Sequence, residues 1–297
     1  MLKQTDQHLA PAYEQAYIKC SSCGYKRFLQ LQDLTNPANS TCNCPDCENT
    51  FSVKEGIKHA IVSDDDFMSW CFISDTLISG HDTVTVGAAK EVKLKAPIKV
   101  AKKVFIHQIT SIPNSLVYFE PRVFPPDSLV IISSGDNKTL GKPCEVSWVI
   151  YANTKSEHGD GWRDHLRHAK ENLINQDYQN AIVEAEIAVE VTLASVLWEL
   201  LTKRKKLGND TTEWILSRVQ AASERSKKVM ELAIGKKVTD IDPVVYKNWS
   251  RNVADKRNRI VHQGEIATKE EAVGAIGAAF EFIWLLLELV NKQPVDI

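Results

Sequence analysis

Residues 257–264 read Arg257-Asn258-Arg259-Ile260-Val261-His262-Gln263-Gly264, and the second half of the chain is read outward from them. Asp242-Pro243 upstream pairs a helix N-cap with proline at the first helical position, and Gly264 closes the pattern, so one helix is predicted between them. Asn258 and His262 are four apart and share a face of that helix. Arg257 lies about 140° round from His262 and converges on it only through its long side chain. An arginine, an amide and a histidine within one and a half turns supply a fixed cation, a hydrogen bonder and a group titrating near neutrality. Phosphodiester chemistry uses that set. The same residues also suit a plain structural role, because Arg and His in a last turn complement the helix dipole. Both readings stand at this point.

The pattern around the motif is helical from about Trp162 to the end. A first helix is predicted over Trp162–Gln176, with Leu166, Ala169 and Leu173 on one face. Asp177 caps a second, from Tyr178 to about Arg204, whose Ala181, Ala185, Ala188, Thr192 and Ser195 form a stripe of small residues for close helix approach. A third runs from an Asp210/Glu213 capping box to about Ile234. The motif helix is fourth. Thr268 and Glu271 box the start of a fifth, in which Val273, Ile276, Phe280, Ile283, Leu287 and Val290 keep helical period. Such helices make an antiparallel bundle.

Arg257-Asn258-x-x-x-His262, late in an all-helical region, resembles the signature of the HEPN family (higher eukaryotes and prokaryotes nucleotide-binding). The stretch Asn175-Gln176-Asp177-Tyr178-Gln179-Asn180-Ala181-Ile182-Val183-Glu184-Ala185-Glu186-Ile187-Ala188-Val189-Glu190 is similar to that family's short turn, Tyr and Ala-rich helix. The resemblance covers roughly residues 158–292. It implies a metal-independent endoribonuclease in which an RNA 2′-hydroxyl attacks its own phosphate, in a dimer whose two motifs face each other. His262 would serve as acid or base, Arg257 would hold non-bridging phosphate oxygens, and Asn258 would orient the histidine or contact phosphate. Glu190, midway along the apolar second helix, has two readings: a partner of Arg257 or Lys256, or part of an exposed strip with Glu186. Arg259 and Arg251 either line an RNA path or are ordinary solvated charges.

Seven cysteines are present, five of them between residues 20 and 47. Cys20-Ser-Ser-Cys23 and Cys44-Pro-Asp-Cys47 form two C-x2-C knuckles, the spacing of a tetrahedral four-cysteine zinc site, and the segment resembles a zinc ribbon. Four thiolates close the coordination sphere, so the expected Zn2+ is structural. Cys42 is a spare thiol beside it. From about residue 53 to 155 the period becomes two. Thr83–Val86, Val92–Lys95, Val104–His107, Leu116–Phe119, Leu129–Ile132 and Val146–Tyr151 are predicted strands. Turn signals fall at Ser79–Asp82, Ile112–Asn114, Phe124–Asp127 and Ser134–Asn137. Asp64-Asp65-Asp66 reads as a solvated turn, and Cys71 and Cys144 as small core residues.

The expected fold class is multidomain α+β. Residues 1–52 form the zinc-ribbon-like segment, 53–155 a central antiparallel β-sandwich or barrel-like domain of unassigned role, and 156–297 an all-α, HEPN-like bundle. Net charge is −2, with 20 Lys and Arg against 21 Asp and Glu from residue 160 on and 16 against 17 before it. No global basic field marks a nucleic-acid binder, so any polyanion site is a local patch. A polar start at Met1–Ala12 and a short, Glu-interrupted run at Ala278–Val290 predict a cytoplasmic protein with no membrane association. Three functional classes are open: an RNA-cutting effector of phage defence or of a toxin system; a non-catalytic HEPN module that binds nucleotide or RNA; and an interaction protein whose bundle dimerises while the ribbon docks nucleic acid or a protein. The intact Arg257/Asn258/His262 set favours the first.

Overall fold

The computed structural model describes residues 7–11, 17–28, 40–62, 74, 76–109, 116–154 and 161–290. In chain order these form β1 (His8–Pro11), β2 (Tyr17–Lys19), β3 (Lys26–Phe28), β4 (Thr41–Asn43), β5 (Thr50–Ser52) and α1 (Val53–Ile61). The strands β6 (Thr76–Thr85), β7 (Ala89–Lys93), β8 (Val100–Gln108), β9 (Val117–Phe124), β10 (Ser128–Gly135) and β11 (Pro143–Asn153) follow. The helices are α2 (Gly161–Ile174), α3 (Tyr178–Glu199), α4 (Asn209–Arg218), α5 (Ala222–Glu224), α6 (Met230–Ile234), α7 (Val238–Ile241), α8 (Pro243–Trp249), α9 (Asp255–Gln263) and α10 (Lys269–Glu288). Asp64–Asp66, Cys71 and the Ile112–Asn114 turn signal lie outside the described residues. The chain divides into two compact units, residues 1–16 with 70–156, and residues 17–69 with 157–297.

The first unit holds two antiparallel sheets, β1-β6-β11-β8 and β7-β10-β9. All six runs of alternating sequence contribute to these strands. Apolar residues of both sheets, among them Ile78, Val84, Val92, Leu129, Ile131, Val146 and Ile150, share one core. One turn signal is overturned: Ser79–Asp82 lies inside β6. Gly80 is there to admit an indole. It faces Trp148 across the β6–β11 ladder, and a Cβ at residue 80 would sit 2.5 Å from Trp148 Cζ2. Trp148 Nε1 donates to buried Asp82 at 3.0 Å, and Lys90 pairs with the same carboxylate at 2.8 Å.

The second unit joins the cysteine-bearing hairpins to the helices. Residues 53–61, which the sequence places at the start of the β-rich region, are the helix α1 instead. Ser52 Oγ accepts from the Glu55 N–H while Glu55 reaches back to the Ser52 N–H, and Val53, Ile57, Ala60 and Ile61 are buried at helical spacing. Lys58 Nζ then binds Glu281 Oε1 on α10 at 2.7 Å, and Lys54 lies over the Trp284 ring. Gly56 lets α1 lie against β2 and β5, because an added Cβ would come within 2.9 Å of Ile18 and Phe51.

Helix α10 is buried on nearly every side and packs on α3, whose small residues Ala181, Ala185, Ala188 and Thr192 are buried. Asp177, Asp242 and Thr268 cap their helices as the sequence predicts. The predicted third helix is broken. Its cap is Gly208, with no Asp210/Glu213 box, and the chain turns extended at Val219. Arg225 stabilises that break, donating from Nε to the Val219 carbonyl at 2.6 Å and from Nη2 to the Leu216 carbonyl at 2.9 Å. Among the described residues three π turns occur: Leu200–Arg204 after α3, Arg225–Val229 between α5 and α6, and Ser250–Ala254 between α8 and α9.

Candidate functional site

Each C-x2-C knuckle is the tip of a short hairpin, β2–β3 and β4–β5. The two tips fold alike: the Cys20 N–H donates to Tyr25 and the Gly24 N–H to Cys20, while the Cys44 N–H donates to Asn49 and the Glu48 N–H to Cys44, all at 2.9–3.0 Å. Gly24 and Glu48 take the equivalent left-handed position, φ +79° and +59°. The tips bring Cys20, Cys23, Cys44 and Cys47 together, with their sulfurs within 4.8 Å of one another. Cys20 Sγ lies 3.7 Å from Cys47 Sγ and Cys23 Sγ 3.4 Å from Cys44 Sγ. A tetrahedral tetrathiolate ion with bonds of about 2.3 Å has sulfur–sulfur edges of about 3.8 Å, so the set fits. Cys42 stays outside the cluster and accepts from Arg27.

The thiols themselves ask for a cation. Backbone N–H groups of the knuckle, that of Cys23 foremost, hold Cys20 down to about 6. The Tyr25 N–H favours the Cys23 thiolate too, but Cys44, burial and the other thiols outweigh it and push Cys23 up to about 12. Several thiolates this close do not coexist without a metal to neutralise them.

The second candidate site is α9. It is a regular α-helix over Asp255–Gln263 that ends on Gly264 at φ +68°, so Asn258 and His262 share a face. Arg257 is half-buried, and its Nη1 donates to Asn258 Oδ1 at 3.3 Å. His262 is exposed and has no hydrogen-bond or ion-pair partner among the described residues. Val261 and Ile266 beside it are exposed apolar side chains, 50% and 77% accessible. Arg259 is engaged by Glu265 at 2.5 Å. Lys256, buried, is held by Glu265 at 2.7 Å and Glu271 at 2.6 Å.

Behind Arg257 lies Glu186, which one sequence reading put on an exposed strip with Glu190; it is buried instead. Glu186 on α3 is 4% exposed and accepts from Trp249 Nε1 at 2.8 Å. Burial pushes its carboxyl up to about 8; the Trp249 N–H opposes this, Glu190 adds to it, Arg257 opposes it and Asp255 adds to it. Glu190, one turn on, is half-buried. The π turn at Ser250–Ala254 explains how Trp249 and Arg257 both address Glu186. In an uninterrupted α-helix residues eight apart are about 80° out of phase, whereas absorbing one extra residue brings them to within about 20°. A signal for Glu186 was present in the sequence: it falls four after Ile182, three before Val189 and seven before Leu193, inside the apolar stripe of α3.

No family model, curated protein or solved structure matches the chain. Among the described residues, no helix is long and apolar enough to cross a membrane.

Proposed function

We propose that the chain is a metal-independent endoribonuclease with a HEPN-like helical bundle, acting as a homodimer through α9. The observation that carries this reading is the state of the α9 side chains: a guanidinium already joined to the Asn258 amide, and one turn further an exposed imidazole with no partner of its own. Strand cleavage by the RNA 2′-hydroxyl needs a base for that hydroxyl, an acid for the departing 5′-oxygen and cations on the phosphorane. His262 takes or gives the proton. Arg257, steadied by Asn258, offers fork geometry to the non-bridging oxygens. One copy presents one histidine, so a second copy supplies the other proton-transfer group; Val261 and Ile266 give that interface apolar contact. DNA, lacking the 2′-hydroxyl, is not a substrate.

Within this proposal Cys20, Cys23, Cys44 and Cys47 hold a structural Zn2+, the first unit is a β-sandwich that binds or senses a trigger, and the protein works in the reducing cytoplasm. The test is incubation of wild type, His262→Ala and Arg257→Lys with a mixed RNA pool in EDTA. Wild type cuts, His262→Ala falls by roughly 10²-fold or more, and Arg257→Lys is not restored to wild-type rate because a point charge lacks the fork. Equal cleavage by all three would overturn the assignment. Elemental analysis of the purified protein should find about one zinc per chain, lost in Cys44→Ser.

A further inference from the structure

A separate set of ligand atoms lies between α2 and α3. His165 and His168 are three apart on α2 and share a face, and α3, packed against it, contributes Glu184. Glu184 and Glu186 are two residues apart, about 200° round α3, so Glu184 serves the α2 side while Glu186 serves Trp249 and Arg257. Glu184 Oε2 stands 2.8 Å from His165 Nδ1 and 3.7 Å from His168 Nδ1. One ligand atom from each residue lies within 4.8 Å of the other two. For a tetrahedral ion with bonds of about 2.0–2.1 Å the ligand–ligand edges are about 3.3–3.4 Å, and the two observed separations bracket that value. The charges in contact with the cluster suit a dication. Glu184 faces the two imidazoles, and Arg167 beside them is taken up by Glu171 at 2.8 Å and lies 4.0 Å from Asp164. Glu184 and Glu171 against Arg167 leave one negative charge beside the imidazoles.

We propose that His165, His168 and Glu184 bind one divalent late first-row transition metal ion, Zn2+ being the reference case, with a fourth position open to water. Two imidazoles and a carboxylate select such ions over Mg2+ or Ca2+, which prefer all-oxygen shells. The side chains are 31%, 43% and 25% exposed, so an ion reaches the site without unfolding. The bound ion clamps α2 to α3. Arg167 is its competitor. Its Nη2 sits 2.5 Å from His168 Nε2, an arrangement that needs the Nε2 lone pair and puts the ring proton on Nδ1, toward Glu184. Metal on Nδ1 moves that proton to Nε2, where a donor-only guanidinium cannot receive it, so Nη2 must leave His168 while Nη1 stays on Glu171. Replacing Arg167 by glutamine removes the competing donor and supplies a carbonyl acceptor for the Nε2 proton.

The test uses full-length protein with its thiolate-bound metal left in place, titrated with Zn2+ and followed by calorimetry, elemental analysis after desalting and thermal melting. Wild type takes up one further ion per chain, and its melting temperature rises with added Zn2+. Glu184→Gln, which keeps the shape of the site, and the double variant His165→Ala/His168→Ala lose both the uptake and the thermal response. Arg167→Gln binds about threefold tighter, the worth of one competing hydrogen bond. No extra ion on wild type, or equal uptake by wild type and Glu184→Gln, overturns the site; weaker binding by Arg167→Gln overturns the competition. None of these outcomes touches the α9 reading, whose cleavage assay is run in EDTA.

Discussion

At residue scale the carboxyl of Glu186 gives the sharpest handle. Its ordinary value of 4.5 is raised to about 8, chiefly by burial. The folded state therefore binds that proton more tightly than the unfolded chain does, so the contribution is present in full below about pH 4.5 and is lost as pH rises through about 8. Glu186→Gln keeps an acceptor for Trp249 Nε1 and removes the titration. It should leave stability near wild type at pH 5 and raise it by about 2–4 kcal/mol at pH 9, read from urea unfolding at the two values. A gain that does not grow with pH would show that Glu186 does not titrate in this way. Sequence pattern placed Arg257, Asn258 and His262 on one helix correctly, because capping and period are local. Burial of Glu186 instead depends on Trp249, 63 residues away. The extra residue absorbed by the π turn at 250–254 leaves no mark in the hydrophobic period.

At the scale of elements the same division holds. Strands with alternating pattern and the Thr268/Glu271 capping box were legible, as was the four-cysteine cluster, whose spacing is set by metal geometry; the Asp210/Glu213 box does not form, and the Ser52/Glu55 box of α1 went unread. Other misses came from residues used for long-range fit. Gly80 reads as a turn beside His81-Asp82, yet it is a mid-strand position cleared for the Trp148 indole. Gly80→Ala should destabilise the sheet unit by about 2 kcal/mol or more, since the buried Trp148 must shift and strain its bond to Asp82. Chemical denaturation monitored by tryptophan fluorescence checks this; an unchanged midpoint would mean that the indole relaxes freely. Gly56, inside α1, also serves fit: it weakens a helix on propensity but is required where α1 meets Ile18 and Phe51. Arg225 ends the predicted third helix by binding carbonyls six and nine residues back, a side-chain act that no propensity scale registers.

At the scale of the whole molecule, the cysteine hairpins belong to the same compact unit as the helices, tied through Lys58 to Glu281, which also accepts from Asn248 of α8 at 3.1 Å. β1, by contrast, adds an edge strand to the sheet unit by pairing with β6. The proposed catalytic set is incomplete in one copy, so assembly is part of the account. Light scattering at micromolar concentration should give a dimer, and Val261→Lys/Ile266→Lys should shift it toward monomer and lower RNA cleavage together; a fully active monomer would remove the composite site. The most direct measurement is the chemistry of the cut ends. Wild-type protein incubated with RNA in EDTA should leave 2′,3′-cyclic phosphate or 3′-phosphate termini, the products of 2′-hydroxyl attack assisted by His262 and Arg257. Cleavage that requires Mg2+ and leaves 5′-phosphate ends would contradict it.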